Sequence, residues 1–169
     1  MKAVARAVAD RVEWIQLREK HCSAKELAQA ARRVIQLARH GKTKVIINSR
    51  IDVALACGAD GVHLPSDSLS PNVVRRIAPE GFLIGVSTHS LEDAMQAYNN
   101  GASYIFFSPV FQKPGYSPAQ GLVALRLVCE SVPIPVLALG GITATNALEC
   151  MDAGASGVAG ISLFQMDHP

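Results

Sequence analysis

Apolar positions along this chain alternate between two spacings, the three-to-four spacing of a helix and the short unbroken run of a buried strand. Between Ser23 and His40, the residues Leu27, Ala30, Ala31, Val34, Ile35 and Ala38 recur at helical intervals. Ser23 followed three residues later by Glu26 predicts a capping box at the start, and Gly41 predicts the end. Lys44 to Asn48 (KVIIN) reads as a buried strand, and 51–57 as a short helix stopped by Gly58. Upstream, alanine-rich 2–11 predicts a helix and 14–19 a strand. Downstream, strands are predicted over 61–65, 82–87, 104–108, 135–139 and 157–161, with helices over 70–78, 90–100, 120–131 and 143–153 between them.

A short pattern repeats within this alternation. Gly58-Ala59-Asp60, Gly101-Ala102-Ser103 and Gly154-Ala155-Ser156 each place a helix-ending glycine, a small residue and a polar residue before a strand. Val12-Glu13-Trp14-Ile15 is a candidate fourth copy lacking its glycine. Strands that alternate with helices throughout, with no hairpin signal, predict a parallel sheet covered by helices. The repeat favours a (β/α)8 TIM barrel over an open doubly wound sheet. Seven strands are visible where that barrel has eight, and its first strand and last helix are unaccounted for. An open barrel exposes unpaired strand edges. The gap is expected to be filled by an upstream segment, by a partner chain such as a second copy in a homo-oligomer, or by residues 2–11 packed across it.

Composition narrows the class. With 169 residues, 49% hydrophobic and 18% charged, the chain reads as one domain spanning 1–169. A net charge of +2 from scattered residues gives no basis for nucleic-acid binding. No apolar run reaches the roughly 18 residues of a membrane span, and 1–12 is too polar for a signal peptide. Cys22, Cys57, Cys129 and Cys150 show no paired spacing, so neither a metal knot nor a disulfide framework is expected. A cytoplasmic location follows as the default.

Candidate chemistry gathers at the predicted strand ends. On the strand 14–19, Ile15 and Leu17 point one way, while Gln16, Arg18 and the following Lys20 point the other. Two cations and an amide on one face suit an anion with several oxygens, such as phosphate or diphosphate. The plain alternative is a strand end where both cations reach water. The other strand ends add Asn48, His63, Asp67, Ser87, His89, Ser108, Gly140-Gly141 and Gly160-Ile161-Ser162, a set rich in donors and poor in carboxylates. Glycine turns after the last two strands are a usual phosphate grip in such barrels. Tight turns or close backbone packing would also explain them.

The strings QLREK, IIN, GADGVHL, GVSTHS, SPVF, ALGGIT and AGASGVAGIS, in that order between about residue 7 and residue 164, resemble the thiamine phosphate synthase / TenI superfamily. The resemblance implies a (β/α)8 barrel handling thiazole phosphate and, in the synthase branch, a pyrimidine methyl diphosphate. It implies that Gln16, Arg18, Lys20, Asn48 and Ser87 line the diphosphate or pyrimidine side. Gly140, Gly141, Gly160, Ile161 and Ser162 would hold the thiazole phosphate.

Departures from the pattern shape the expected reaction. Where synthases carry Asn-Asp-Arg, this chain has Asn48-Ser49-Arg50, and their second metal carboxylate falls on Ser68. Mg²⁺ favours one or two carboxylates besides substrate phosphates. No metal is therefore expected, with Mg²⁺ relevant only to a synthase. The synthase threonine-lysine loop is shortened, leaving Lys113 as the one stand-in for its lysine. The stretch 64–71 (LPSDSLSP) resembles the TenI branch, which implies metal-free proton transfer of the thiazole tautomerase type. The histidine some tautomerases use is Pro109 here, so His63 and His89 become the candidate proton shuttles. Two further readings are a divergent thiamine phosphate synthase and a non-catalytic phosphate-binding barrel.

Overall fold

The strands lie side by side in the order in which they occur, all parallel. They are β1 (Trp14–Leu17), β2 (Lys44–Asn48), β3 (Gly61–Leu64), β4 (Leu83–Thr88), β5 (Tyr104–Phe107), β6 (Val136–Leu139) and β7 (Gly157–Ala159). The helices are α1 (Lys2–Ala9), α2 (Ala24–Ala38), α3 (Ile51–Cys57), α4 (Pro71–Arg75), α5 (Leu91–Asn99), α6 (Gly121–Ser131), α7 (Ala147–Asp152) and α8 (Ser162–Gln165). This computed structural model describes residues 1–19, 21–39, 41–112 and 118–165. Lys20 and Lys113 lie outside the described residues. No helix among them is long and apolar enough to cross a membrane.

Alternation along the strands divides each into an outer and an inner face. On the outer face, Val45, Ile47, Val62, Leu64 and Ile84 pack with Leu27, Ala31 and Val34 of α2 and with Val53 and Ala54 of α3. A second outer cluster joins Ile105, Phe107, Val136 and Ala138 to Leu125 and Val128 of α6. Val86 touches both clusters. The inner face carries Trp14, Gln16, Ile46, Asn48, His63, Ser87, Tyr104, Phe106 and Leu137, which surround one cavity.

Because one cavity is lined by both β1 and β7, the sheet curls as a barrel does, yet these two edges are not paired. The expected eight-strand closure is thus present as a seven-strand curl. α1 contacts both α2 and α8, and its Ala3, Val4 and Ala7 line the cavity, which puts residues 2–11 on the open side.

The repeat has a definite geometry. Ala59, Ala102 and Ala155 each donate N–H to the carbonyl five residues back (Ala54, Ala97 and Cys150) across a glycine of positive φ. That is the Schellman arrangement, and it turns the chain from helix to strand. The next residue's N–H then bonds the preceding strand, Asp60 to Val45, Ser103 to Ile84 and Ser156 to Val136. The Asp60 carboxylate also accepts from the Val45 N–H, and Ser103 Oγ from the Ile84 N–H, at 2.7 and 3.0 Å. The fourth copy is real. Val12 N–H reaches Ala7 O at 2.9 Å, and Arg11, with φ of 58°, occupies the glycine position.

Element ends differ from expectation where side chains compete with the backbone. The helix over 143–153 begins only at Ala147, because Asn146 Oδ1 accepts from the Thr143 N–H and Thr143 Oγ1 accepts from the Asn146 N–H. The helix over 70–78 keeps only Pro71–Arg75 as α-helix. The capping box of α2 is present as read, with Ser23 and Glu26 each bonding the other's backbone N–H.

Candidate active site

The cavity inside the curl has a volume of about 870 Å³ and two distinct ends. Its floor is aromatic and aliphatic: Trp14 meets Tyr104 edge to face at 4.5 Å between centroids, beside Ile46, Leu137 and Gly157. Its mouth, at the carboxyl ends of the strands, is polar and holds Gln16, Arg18, Asn48, Ser87, Gly160 and Ile161.

Neighbouring strands set the mouth's order. β1 and β2 pair with Gln16 opposite Ile46, and Asn48 pairs with His63 on β3. The Gln16 amide donates to Asn48 Oδ1 at 2.8 Å, and Asn48 Nδ2 donates to Ser49 Oγ at 2.8 Å. Arg18 is exposed, borders the cavity, and makes no hydrogen bond or ion pair among the described residues. Arg50 lies outside the cavity lining and is taken by Asp52.

Deeper in, His63 is only 2% exposed and stacks at 4.3 Å on Phe106. Its Nε2 lies 2.8 Å from Ser87 Oγ, and its Nδ1 lies 3.2 Å from the Tyr104 hydroxyl. Burial, and then the positive charge of Arg18, lower its pKa to about 3, so the imidazole is neutral at ordinary pH. Burial likewise raises the Tyr104 phenol above its usual value and keeps it protonated.

The candidates named from sequence fall into three groups. Gln16, Arg18, Asn48, His63, Ser87, Gly160 and Ile161 all border the cavity. Ser162 opens α8 immediately after them. His89, Gly140 and Gly141 are not among the lining residues. His89 is exposed at the start of α5, its N–H donating to Asp93 and its Nδ1 donating to the Ser108 carbonyl at 2.7 Å. Gly140 and Gly141 have φ of 95° and 68°. A Cβ on them would come within 2.7 Å of Pro109 and 2.8 Å of Phe111, so close packing already requires glycine at both positions.

Tyr104 was not anticipated as a site residue. Its one sequence signal is an aromatic with a hydroxyl on the inner face of a strand. Opposite it in register stands Gly85, the residue that makes room for the ring.

The donor set also bears on metal binding. Asn48 and Ser49 end β2 without a carboxylate, and Gln16, Arg18, Asn48 and Ser87, the polar side chains at the cavity mouth among the described residues, include no Asp or Glu. The residues present do not fit a Mg²⁺ site built on protein carboxylates.

A family model described as thiamine monophosphate synthase matches residues 1–164. The chain belongs to this family. The thiamine-phosphate synthase of Methanocella arvoryzae is 44% identical over 160 residues, which are 93% of this chain and 76% of that protein. That of Methanoregula boonei is 42% identical over 159 residues, 92% of this chain and 74% of that one. Among solved structures, thiamine phosphate pyrophosphorylase from Pyrococcus furiosus superposes with a TM-score of 0.89 at 38% identity, covering 95% of this chain and 78% of that one. The expected superfamily is therefore correct, and these members of it carry the name of its synthase branch. None of the three bears the tautomerase name that the 64–71 stretch led us to expect.

Proposed function

We propose that this chain is a divergent thiamine phosphate synthase, joining thiazole phosphate to a pyrimidine methyl diphosphate. The identity to proteins named thiamine-phosphate synthase, sustained over nine-tenths of the chain, carries this reading. In the reaction the thiazole nitrogen lone pair forms the new C–N bond to the methylene carbon. The C–O bond to diphosphate breaks, and diphosphate leaves with the electron pair. Arg18 would oppose the charge growing on the leaving group, with Lys20 and Lys113 as further cations. Gln16, Asn48 and Ser87 would orient the pyrimidine half over the aromatic floor. Gly160 and Ile161 would border the thiazole phosphate, with Ser162 beside them. No step is routed through a metal, because the donor set does not fit one.

The tautomerase reading is favoured by the serines at the two carboxylate positions, but it needs a histidine free to carry a proton into the cavity. His63 has both nitrogens engaged inside the wall, and His89 stands outside the lining. The synthase is therefore the better reading.

Incubation with both substrates, with and without added Mg²⁺, tests it. The expected result is diphosphate release that requires both substrates and matches the coupled product one to one. Tautomerisation of a thiazole carboxylate phosphate without coupling would overturn it. Tight binding with no turnover of either kind would favour the non-catalytic barrel.

A further inference from the structure

The line Ser87–His63–Tyr104 runs from the cavity mouth into the floor, and the direction of its hydrogen bonds can be worked out from the buried end. Tyr104 is 1% exposed, and its hydroxyl has one hydrogen-bond partner among the described residues, His63 Nδ1. A phenol has one proton to donate. If Nδ1 carried a hydrogen, the Tyr104 proton would be left in an apolar enclosure without an acceptor, the costly arrangement for a buried donor. The phenol must therefore donate to Nδ1. A neutral imidazole with Nδ1 accepting carries its own hydrogen on Nε2. Nε2, 2.8 Å from Ser87 Oγ, then donates to the serine oxygen.

This order leaves the Ser87 proton no place on His63. Ser87 is half-buried, borders the cavity and has no other hydrogen-bond partner among the described residues. Its O–H has only the cavity to point into. We propose that Tyr104 and His63 are positioning residues that lock Ser87 as a hydrogen-bond donor, so that the site selects a ligand presenting a lone-pair acceptor beside Ser87. His63 in this role is neither a proton shuttle nor a base that activates serine, since its lone pair faces away from Ser87. The assignment rests on the reading of the cavity as the substrate site, and it adds the polarity of one contact there. It also explains why an imidazole is held under a serine that does not act as a nucleophile. The ring transmits the phenol's polarity across the sheet, from β5 through β3 to β4.

Two measurements test it, one of them independent of turnover. In ¹⁵N-histidine-labelled protein, long-range proton–nitrogen spectra report the His63 tautomer, with the signal assigned by its loss in His63→Gln. The expected result at pH 7 is a neutral ring with hydrogen on Nε2, becoming a mixture in Tyr104→Phe. A hydrogen on Nδ1, or an imidazolium, would overturn the proposal whatever the enzyme does.

The second measurement is a kinetic cycle with the pyrimidine diphosphate as the varied substrate. Tyr104→Phe should raise KM about fivefold with a smaller effect on kcat, the size of one misdirected hydrogen bond. Ser87→Ala should lose at least as much, and Tyr104→Phe should then add nothing further in the Ser87→Ala background. Losses that simply add would show Tyr104 to be packing alone. His63→Gln, whose amide N–H can still reach Ser87, should retain more activity than His63→Leu. Absence of any coupling activity in the unaltered protein would count against the synthase reading, while the tautomer spectra would still decide the positioning role.

Discussion

The ring of Tyr104 lies over the Cα of Gly85, its partner in register on β4, so closely that a Cβ there would sit 2.0 Å from Tyr104 Cζ and 2.3 Å from its hydroxyl. The strand carries glycine here because the aromatic needs the space, and the hydroxyl reaches His63 only while the ring keeps that position. Gly85→Ala should therefore do two things at once. It should cost about 1–3 kcal/mol of stability, as overpacking of a filled interior does. It should also break the Tyr104–His63 contact. Denaturant unfolding checks the first effect, and the His63 nitrogen shifts check the second.

His63 predicts a pH dependence of stability whose sign is unusual for a histidine. Its folded pKa, about 3, lies below the unfolded value near 6.5, because burial comes first and Arg18 second. Above 6.5 both states are neutral at this site and nothing changes. Between 6.5 and about 3 the unfolded chain binds a proton that the folded chain does not, so stability falls as pH falls. The slope from this one group approaches ~1.4 kcal/mol per pH unit. Urea midpoints at pH 7.5, 6 and 5 should drop more steeply in the unaltered protein than in His63→Gln.

Arg11 holds a left-handed backbone position that the other three copies of the turn give to glycine. A side chain there costs roughly 1–2 kcal/mol, partly offset by the greater freedom of glycine in the unfolded chain. Arg11→Gly should raise stability by about 0.5–1 kcal/mol, read as an upward shift in the urea midpoint. The exposed guanidinium lies outside the cavity lining, so coupling kinetics should not change.

Arg18 offers its charge at the cavity mouth with no acceptor of its own among the described residues. Arg18→Gln should weaken the diphosphate substrate about tenfold to a hundredfold, the range for losing a charge-assisted contact. Stability at pH 7 should hold. As pH falls towards 3 the variant should be slightly less sensitive to acid, because folded His63 then takes up its proton without that cation nearby. Isothermal titration with the diphosphate substrate reads the first effect, and pH-dependent unfolding reads the second.

Much of this was legible because strand and helix periods differ so plainly here. β2 and α3 begin and end where the sequence said, and the cap of α2 is made by the two residues that signalled it. Gln16, Arg18 and Asn48 could be placed on one face, since alternation fixes direction once a strand is known. What stayed hidden depended on partners distant in the chain. Tyr104 reads as one more large residue in an apolar strand until β3 and β4 stand beside it. Gly140-Gly141 reads as a phosphate grip, and nothing local reveals that Pro109 and Phe111 also press on the turn. The histidines were matched to proton transfer by their position at strand ends, and position alone does not show that His63 is sealed in the wall.

Val86 is the seam between the two outer clusters. Each cluster has its own helices and its own share of the ladder. Such a division makes β4 the strand that both packing units share. Ser87, the next residue along, faces the cavity from that shared strand, so whatever it binds is held where the two units meet.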